Sequence, residues 1–308
     1  MPVQPSRRAL LKFIGGAGAL VTMPALSGQT SAAALLKRVI PKSGEALPVI
    51  GLGTYLVFDV APNAPELADL REVLTTFVAG GGSLIDSSPM YGRAESVVGE
   101  LTTALGLRDS LFLATKVWTS GRQAGIRQME DSLRLMRTRR MDLLQIHNLL
   151  DLATHTNTLR EWKEAGTIRY LGITHYHAGD YRELERLLKT RDYDCVQFNY
   201  SLAEREAEQS LLAVAAETGT AVIINRPFAQ GELFARVKGR ELPAWAAEFD
   251  CTSWAQFFLK YIVAHPAVTC VIPGTGKARH MVDNLKAGTG RLPDERLKKR
   301  MVELMQSF

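Results

Sequence analysis

The feature that most constrains the fold is a repeated alternation between short apolar segments and longer amphipathic ones. Eight short segments are rich in Val, Ile and Leu, as is typical of parallel strands that are buried on both faces. The predicted strands are Leu52–Tyr55, Ser83–Asp86, Leu111–Lys116, Asp142–His147, Ile168–Thr174, Cys195–Asn199, Ala221–Asn225 and Thr269–Ile272. Helix-length segments separate them, for example Pro65–Ala79, Arg122–Arg137, His155–Ala165 and Tyr181–Leu188. Eight strands that alternate with helices predict an α/β fold, a closed (β/α)8 TIM barrel.

An open doubly wound sheet is the alternative architecture. It would carry a Gly-rich phosphate loop directly after its first strand, and no G-x-G-x-x-G pattern follows Leu52–Tyr55. Within Arg38–Gly53, two short apolar runs flank the turn sequence KSGE, which predicts an N-terminal β-hairpin ahead of the barrel. A length of 308 residues, 46% of them hydrophobic, suits one barrel of about 250 residues. The sequence therefore predicts a single barrel domain over residues 35–308.

The first 34 residues differ from the rest of the chain. They combine a charged start that contains Arg7 and Arg8 with an apolar middle and a small-residue end, which is the anatomy of a secretory signal peptide. The pair in SRRALLK resembles the twin-arginine export signal, although a Leu stands where Phe is usual. We expect cleavage after residue 32, 33 or 34, export to the periplasm by the twin-arginine machinery, and no membrane span after processing. The alternatives are an uncleaved amphipathic anchor or a chance arginine pair.

Charge and cysteine content exclude several classes of protein. The net charge is +5, and removal of the three basic residues among the first 34 leaves +2, so a strongly basic nucleic-acid surface is not indicated. Basic runs at Arg137–Arg140 and Arg296–Arg300 are interpreted as solvated helix ends. The cysteines Cys195, Cys251 and Cys270 lie far apart, without metal-ligand spacing, so no metal site is predicted.

Four polar residues lie at the ends of consecutive predicted strands. Asp86, Lys116 and His147 end the second, third and fourth strands, and Tyr91 follows the second in a short loop. The carboxyl ends of barrel strands lie together, and burial of a lone lysine or aspartate is costly, so Asp86 and Lys116 are expected to pair. An ammonium beside a phenol lowers the phenol pKa from about 10. Tyr91 is therefore predicted to be a general acid. A neutral imidazole at His147 can donate a hydrogen bond to a substrate oxygen or help to pass the proton, and a structural role is the alternative for each residue.

From Arg38 to Phe308 the chain resembles the aldo-keto reductases. The resemblance rests on several separated motifs in order: GLGT (Gly51–Thr54), IDSSPMYGRAE (Ile85–Glu95), ATK (Ala114–Lys116), DLLQIHN (Asp142–Asn148), IRYLGIT (Ile168–Thr174), QFNYSL (Gln197–Leu202) and IPGTGKARHMVDN (Ile272–Asn284). It implies hydride transfer between NADP(H), or less favourably NAD(H), and the carbonyl of a small aldehyde or ketone. It also implies that Asp86, Tyr91, Lys116 and His147 are the catalytic residues, with His147 orienting the carbonyl of the substrate. The hairpin is expected to cover the bottom of the barrel.

The resemblance further implies a set of cofactor contacts. Thr174 and His175 stand where Ser and Asn are frequent, and Gly274 stands where many NADP-preferring relatives have a lysine. Lys277 or Arg279 would meet the adenosine 2′-phosphate, and the helix start beside them suits a phosphate. The predicted cofactor contacts are Gly53, Thr54, Asn148, Thr174, Gln197, Tyr200, Arg226, Pro227, Gly274, Thr275, Gly276, Lys277 and Asn284.

The substrate mouth and two other functions complete the predictions. Phe58, Met90, Trp118 and Trp245 are predicted to line an apolar mouth. One alternative is a non-catalytic nucleotide-binding or sensor subunit on the same barrel, which would not need a phenolic acid. The other is a metal-dependent hydrolase barrel, which would need clustered His and Asp ligands at its strand ends.

Overall fold

The computed structural model describes residues 34–308. The predicted signal peptide lies outside the described residues, apart from its last position. Within the described range, no helix is both long enough and apolar enough to cross a membrane.

Residues 34–308 form ten strands, and eight of them belong to one parallel sheet whose order follows the chain. The strands are β1 (Lys37–Val39), β2 (Ala46–Pro48), β3 (Leu52–Gly53), β4 (Leu84–Asp86), β5 (Phe112–Val117), β6 (Met141–His147), β7 (Ile168–Thr174), β8 (Cys195–Asn199), β9 (Ala221–Asn225) and β10 (Val268–Val271). β3 to β10 are the eight predicted barrel strands, and each boundary lies within two residues of its predicted position.

The sheet closes into a barrel where its first and last strands meet. Ile50 bridges Val271 and Gly53 bridges Gly274, both in parallel orientation. This approach is close, because a Cβ atom on Gly53 would lie 2.8 Å from the carbonyl oxygen of Ile272. The backbone can come this near only with a glycine at position 53. The predicted (β/α)8 barrel is confirmed.

Helices follow the strands and cover the outside of the barrel. They are α1 (Glu66–Ala79), α2 (Ala94–Ala104), α3 (Arg122–Leu135), α4 (Leu152–Glu164), α5 (Tyr181–Leu188), α6 (Leu211–Thr218), α7 (Glu232–Arg236), α8 (Trp254–Val263), α9 (Ala278–Lys286) and α10 (Glu295–Gln306). Their apolar faces pack on the outer surface of the strands in one continuous core, for example through Leu74, Phe77, Leu184 and Phe258. The barrel interior holds a separate and smaller apolar cluster.

β1 and β2 pair antiparallel and cover the amino-terminal end of the barrel, as the hairpin prediction requires. Ile40 and Leu47 of the hairpin are buried in the interior cluster, where they join residues such as Leu84, Phe112 and Leu143 from the starts of the barrel strands. With this end filled by side chains, the carboxyl ends of the strands are the open end of the barrel.

Candidate active site

Asp86 and Lys116 form a buried ion pair at the carboxyl ends of β4 and β5. The Lys116 ammonium donates to Asp86 Oδ2 at 2.6 Å and to the Ser87 carbonyl oxygen at 2.7 Å. The other carboxylate oxygen of Asp86 accepts from Gln145 Nε2 at 3.0 Å and from Gln197 Nε2 at 2.9 Å. Lys116 is 0% exposed and Asp86 is 2% exposed. Both charges are therefore compensated and held in one position.

The charge state of Lys116 follows from these contacts. Burial on its own would lower the pKa of Lys116, but Asp86 and the adjacent Tyr91 outweigh it and raise the pKa above the usual value. Lys116 is therefore a fixed cation at neutral pH.

Tyr91 lies against this cation, with the Lys116 nitrogen 4.9 Å from the centroid of its ring. Burial raises the pKa of Tyr91, and the charge of Lys116 offsets part of this rise. The sequence reasoning expected the ammonium to lower the phenol pKa; in the structure the effect of burial is larger. The phenol therefore keeps its proton at neutral pH, which is the form that a proton donor needs.

The loop that carries Tyr91 is fixed by contacts on both sides. The Tyr91 amide donates to the Ser88 carbonyl at 3.0 Å, and the Arg93 amide donates to the Asp59 carboxylate at 2.9 Å. Gly92 between them has φ +58°, and a Cβ atom there would lie 2.3 Å from the Asp59 carboxylate. Only glycine satisfies both the left-handed backbone and this contact.

His147 ends β6 beside the phenol, with ring centroids 6.1 Å apart in an edge-on arrangement. Burial lowers the pKa of His147 to about 3, and the neighbouring Lys116 and His175 add to this effect. Its Nδ1 lies 3.1 Å from the Ser88 hydroxyl oxygen. When Ser88 donates to Nδ1, the neutral ring carries its proton on Nε2 and can donate it to a ligand.

Exposed apolar side chains surround these residues. Tyr55, Met90 and Trp118 are 51%, 37% and 42% exposed, respectively. The Tyr55 ring lies 5.0 Å from the Tyr91 ring, and the Trp118 ring lies 6.3 Å from that of His147. Met90 and Trp118 were predicted for the mouth, whereas Tyr55 was not.

Two residues predicted for the mouth lie elsewhere. Phe58 is 0% exposed and belongs to the core between the strands and the helices. Trp245 packs against Phe249 and Phe257, under the guanidinium of Arg300. The rings of both residues are occupied by packing against other side chains, so neither is assigned to the mouth.

The predicted nicotinamide contacts are brought together at adjacent strand ends. In the sheet register Thr174 pairs with His147 on one side and with Gln197 on the other. The Thr174 hydroxyl donates to Gln197 Oε1 at 3.4 Å, and Asn225 Nδ2 donates to the same oxygen at 3.4 Å. The Thr54 hydroxyl donates to the Asp86 carbonyl at 3.0 Å and supports the end of β4.

Two observations show that the open end suits a nucleotide cofactor. Asn148 Oδ1 and Asn225 Oδ1 are buried acceptors without a hydrogen-bond partner, and both follow or end strands at this face. Such atoms are costly to leave unpaired, and the NH2 group of a carboxamide is the kind of donor that they lack. The adjacent Gly53 and Gly274 leave bare backbone at the barrel rim, beside Gly276. The residues present therefore fit the predicted cofactor.

The cations predicted for the phosphates have protein partners in this structure. Lys277 forms an ion pair with Asp69 of α1, and the Arg226 guanidinium lies 5.3 Å from the centroid of the Tyr176 ring. The Thr275 hydroxyl accepts from the Lys277 amide at 3.2 Å. Pro227, next to Arg226, and Asn284, in α9, are buried. Binding of a phosphate by Lys277 requires exchange of the Asp69 carboxylate for the phosphate.

Tyr200, predicted to contact cofactor or substrate, does not face the open end in this structure. The side chain is 0% exposed, and its hydroxyl donates to Glu208 at 2.6 Å. Its ring packs against Tyr261 and His265. The residue follows directly after β8, and the turn of the chain there directs the ring towards α8 instead of the barrel mouth.

Three residues of the site were missed by the sequence reasoning: Gln145, Ser88 and Tyr55. Gln145 was detectable, because it lies two positions before His147 on β6 and side chains alternate along a strand. Ser88 and Tyr55 lie in loops, where no periodicity indicates which way a side chain points.

Comparison with known proteins agrees with this geometry. The model of the aldo/keto reductase family matches residues 49–301. This chain belongs to the aldo/keto reductase family. It is therefore an oxidoreductase, and the family match spans every barrel strand.

Individual relatives cover most of the chain. Methylglyoxal reductase YeaE of Escherichia coli is 32% identical over 257 residues, which are 80% of this chain and 88% of the relative. An aldo/keto reductase from Klebsiella pneumoniae, solved in complex with NADP and acetate, is 28% identical with a TM-score of 0.73 and covers 87% of this chain and 94% of its own. A second aldo-keto reductase from Klebsiella pneumoniae, solved with NADPH, is 26% identical with a TM-score of 0.71, covering 89% and 95%.

Proposed function

We propose that this aldo/keto reductase reduces the carbonyl group of small aldehydes or ketones to alcohols, with NADP(H) as cofactor. The observation that carries the proposal is the buried Asp86–Lys116 pair placed against the protonated phenol of Tyr91. A neutral His147 lies beside this phenol. A proton donor, a fixed cation and a neutral hydrogen-bond donor at one open barrel end suit the reduction of a carbonyl.

Each residue has a separate part in this proposal. NADPH supplies the hydride to the carbonyl carbon when it is bound. Tyr91 donates its proton to the carbonyl oxygen, and the adjacent Lys116 cation stabilises the phenolate that is left. Asp86 keeps Lys116 charged and in position through the 2.6 Å hydrogen bond. His147 donates a hydrogen bond from Nε2 to the carbonyl oxygen and so orients it towards Tyr91.

The preference for NADP(H) over NAD(H) is supported by two of the solved relatives, which bind NADP and NADPH. Lys277 also supports NADP(H), because it supplies a cation near the rim. Position 274 differs from many NADP-preferring relatives, since it is a glycine where they have a lysine. For the substrate, the relative that acts on methylglyoxal and the exposed rings of Tyr55 and Trp118 support small aldehydes as the first class to assay.

The decisive experiment is a fluorescence titration of residues 35–308 with NADPH and NADH in parallel, followed by oxidation of the bound cofactor on addition of methylglyoxal and other aldehydes. We expect tighter binding of NADPH and aldehyde-dependent turnover. Binding without turnover across aldehydes and ketones would favour the non-catalytic sensor alternative. Failure of both nucleotides to bind would overturn the cofactor assignment.

Replacement of Tyr91 tests the identity of the acid. Tyr91→Phe removes the proton donor and keeps the ring, so we expect kcat to fall by about 10²–10⁴-fold while the Kd for NADPH stays within twofold. Tyr55→Phe is the matched control, because it removes the hydroxyl of the adjacent exposed tyrosine. Near-normal turnover in Tyr91→Phe would show that another group delivers the proton.

We also propose that residues 1–34 are a twin-arginine export signal and that the barrel of residues 35–308 reaches the periplasm already folded. The support is the paired Arg7 and Arg8, the apolar stretch that follows them and the small-residue end. A fusion of residues 1–34 to a folded reporter protein should be exported, and Arg7→Lys/Arg8→Lys should stop export. Retention of the unaltered fusion in the cytoplasm would refute the proposal.

A further inference from the structure

A second pocket, of about 560 Å³, lies at the end of the barrel opposite to Tyr91. Its walls are the starts of the barrel strands and the hairpin that covers this end. Along the seven residues of β6, this end is about 20 Å from the carboxyl end that carries His147. Five arginines line the pocket: Arg108, Arg137, Arg139, Arg140 and Arg169. This site is outside the proposed catalytic machinery.

Two of the three acidic residues that line the pocket are already neutralised by arginines. Asp142 lies 2.9 Å from Arg169 and 3.8 Å from Arg108, and it also accepts from the Leu113 amide. Glu45 pairs with the same Arg169. The third acid, Asp109, is exposed. Five arginines against three acidic residues give the pocket a net charge of +2.

The remaining three arginines, Arg137, Arg139 and Arg140, are exposed and lack a counter-charge. Among residues 34–308, no carboxylate lies within the 4.0 Å ion-pair distance of any of them. The basic run at Arg296–Arg300 differs, because each of its cations pairs with Glu248, Glu295 or Glu303. Both basic runs were interpreted from the sequence as solvated helix ends. That interpretation does not explain why only one run is paired with carboxylates, or why the three unpaired arginines line a cavity.

The turn that carries these arginines is fixed by its backbone conformation and by hydrogen bonds of Thr138. Arg137 has φ +50°, a left-handed conformation that favours glycine. The Thr138 amide donates to the Leu133 carbonyl at 3.0 Å, and the Thr138 hydroxyl accepts from Arg108 at 2.8 Å. The backbone that carries the three arginines is therefore fixed at the pocket rim before any ligand arrives.

We propose that this pocket binds a ligand that carries two or more phosphate groups. The planar guanidinium fork matches phosphate oxygens in pairs, and three unpaired forks on one rim exceed what a single phosphate needs. The cavity volume lies in the range of small-molecule sites. Two kinds of ligand carry two or more phosphate groups: a free polyphosphorylated molecule and a diphosphate lipid headgroup. The experiments below distinguish between them.

The first experiment is a calorimetric titration of the full chain with tripolyphosphate without added nucleotide, because NADPH also carries several phosphate groups. The residues at the cofactor end are the same in every variant, so a difference between variants reports on the arginine pocket. We expect saturable binding that weakens at least tenfold in Arg137→Gly/Arg139→Ser/Arg140→Ser. The matched control, Arg296→Ser/Lys299→Ser/Arg300→Ser, removes the same number of charges from paired positions and should change the Kd less than twofold. Equal losses in both variants would show that only overall charge matters and would overturn the proposal.

A single substitution separates loss of the site from loss of the fold. Arg137→Gly removes one guanidinium but suits the left-handed backbone, so it should weaken binding severalfold without lowering the melting temperature. Unchanged affinity in this variant, with the triple variant also unchanged, would overturn the proposal.

The lipid source is tested by co-sedimentation with phosphatidylcholine vesicles prepared with and without cardiolipin, a lipid with two phosphates. Cardiolipin-dependent binding that is lost in the triple variant supports the headgroup, and binding of tripolyphosphate alone supports a soluble ligand. Binding of neither ligand overturns the proposal. Because the pocket lies at the far end of the barrel, these results do not depend on whether the carbonyl chemistry proposed above is correct.

Discussion

The carboxylate of Asp86 accepts hydrogen bonds from side chains on three other strands of the barrel. Lys116 comes from β5, Gln145 from β6 and Gln197 from β8. Gln197 also accepts from the Thr174 hydroxyl, so one buried anion connects the proposed proton donor set with the proposed cofactor contacts. A change at Asp86 is therefore expected to affect both stability and catalysis.

Asp86→Asn leaves the buried Lys116 ammonium without its counter-charge. Removal of one partner of a buried ion pair typically destabilises a protein by about 3–5 kcal/mol, so we expect a fall of that size in the free energy of unfolding. Urea denaturation followed by circular dichroism measures it.

The control for this prediction is the double variant Asp86→Asn/Lys116→Met. With no buried charge left, it should regain part of the lost stability while turnover stays low. If Asp86→Asn alone is as stable as the unaltered protein, the ion pair contributes little to the fold.

The neutral state of His147 makes stability depend on pH. Its pKa is about 3 in the folded protein against an ordinary value of 6.5, so between these values the unfolded chain binds a proton that the folded chain does not. The stability associated with His147 is therefore complete above pH 6.5 and falls as the pH drops towards 3. His147→Gln should flatten this acid-side decline in unfolding free energy, measured by urea denaturation from pH 7 to pH 4.

His280→Gln is the matched control, because it removes an exposed imidazole from α9 and leaves the buried ring of His147 in place. A profile for His147→Gln that coincides with that of the unaltered protein would contradict the assignment of a depressed pKa.

At the scale of elements, the barrel strands were predictable because each is a short apolar run with its own length and boundaries. α5 was predicted over its full extent, Tyr181–Leu188. The start of α4 was placed three residues late, at His155 instead of Leu152, although Asp151 directly before the helix is a typical N-cap residue. Sequence patterns thus identify elements whose burial follows a regular period.

Side chains in the segments that follow strands were harder to predict. Tyr200 comes one residue after β8, and Phe58 lies in the loop after β3. Whether such a ring faces the open end or the helices depends on the local turn, which has no periodic signature. The grouping of Asp86, Lys116 and His147 was easier to predict, because charged groups at the ends of buried strands need partners and the partners lie on adjacent strands.

The junction between the first and last barrel strands is expected to be sensitive to small changes. Gly53→Ala would place a Cβ atom 2.8 Å from the Ile272 carbonyl oxygen, so the two strands must move apart. We expect a loss of about 1–3 kcal/mol in unfolding free energy, together with weaker NADPH binding, measured by thermal denaturation and fluorescence titration.

Gly44→Asn in the hairpin turn is the matched control. Its Cβ atom meets nothing within 4 Å, and asparagine accepts the left-handed backbone at this position. If Gly53→Ala binds NADPH as tightly as this control does, the junction does not contribute to cofactor binding.

At the scale of the whole molecule, residues 35–308 contain the contacts that complete the barrel. The Leu36 amide donates to the Gly288 carbonyl at 2.8 Å, and the Val49 amide donates to the Leu36 carbonyl at 2.9 Å, which attaches the segment around Leu36 to the barrel. We expect a chain that begins at residue 35 to have the same melting temperature and the same turnover as the full chain, measured side by side. A lower melting temperature would show that the first 34 residues belong to the folded domain.

The closure of the barrel by two isolated bridges has a thermodynamic consequence. Ile50–Val271 and Gly53–Gly274 join the first and last strands, and the second bridge lies among the residues predicted to meet the cofactor. A ligand that binds only the closed barrel stabilises it by about 2.7 kcal/mol at a concentration 100-fold above its Kd. We therefore expect local opening and cofactor release to be coupled. The empty protein should open first along this junction, and the occupied protein should open there only as fast as the nucleotide leaves.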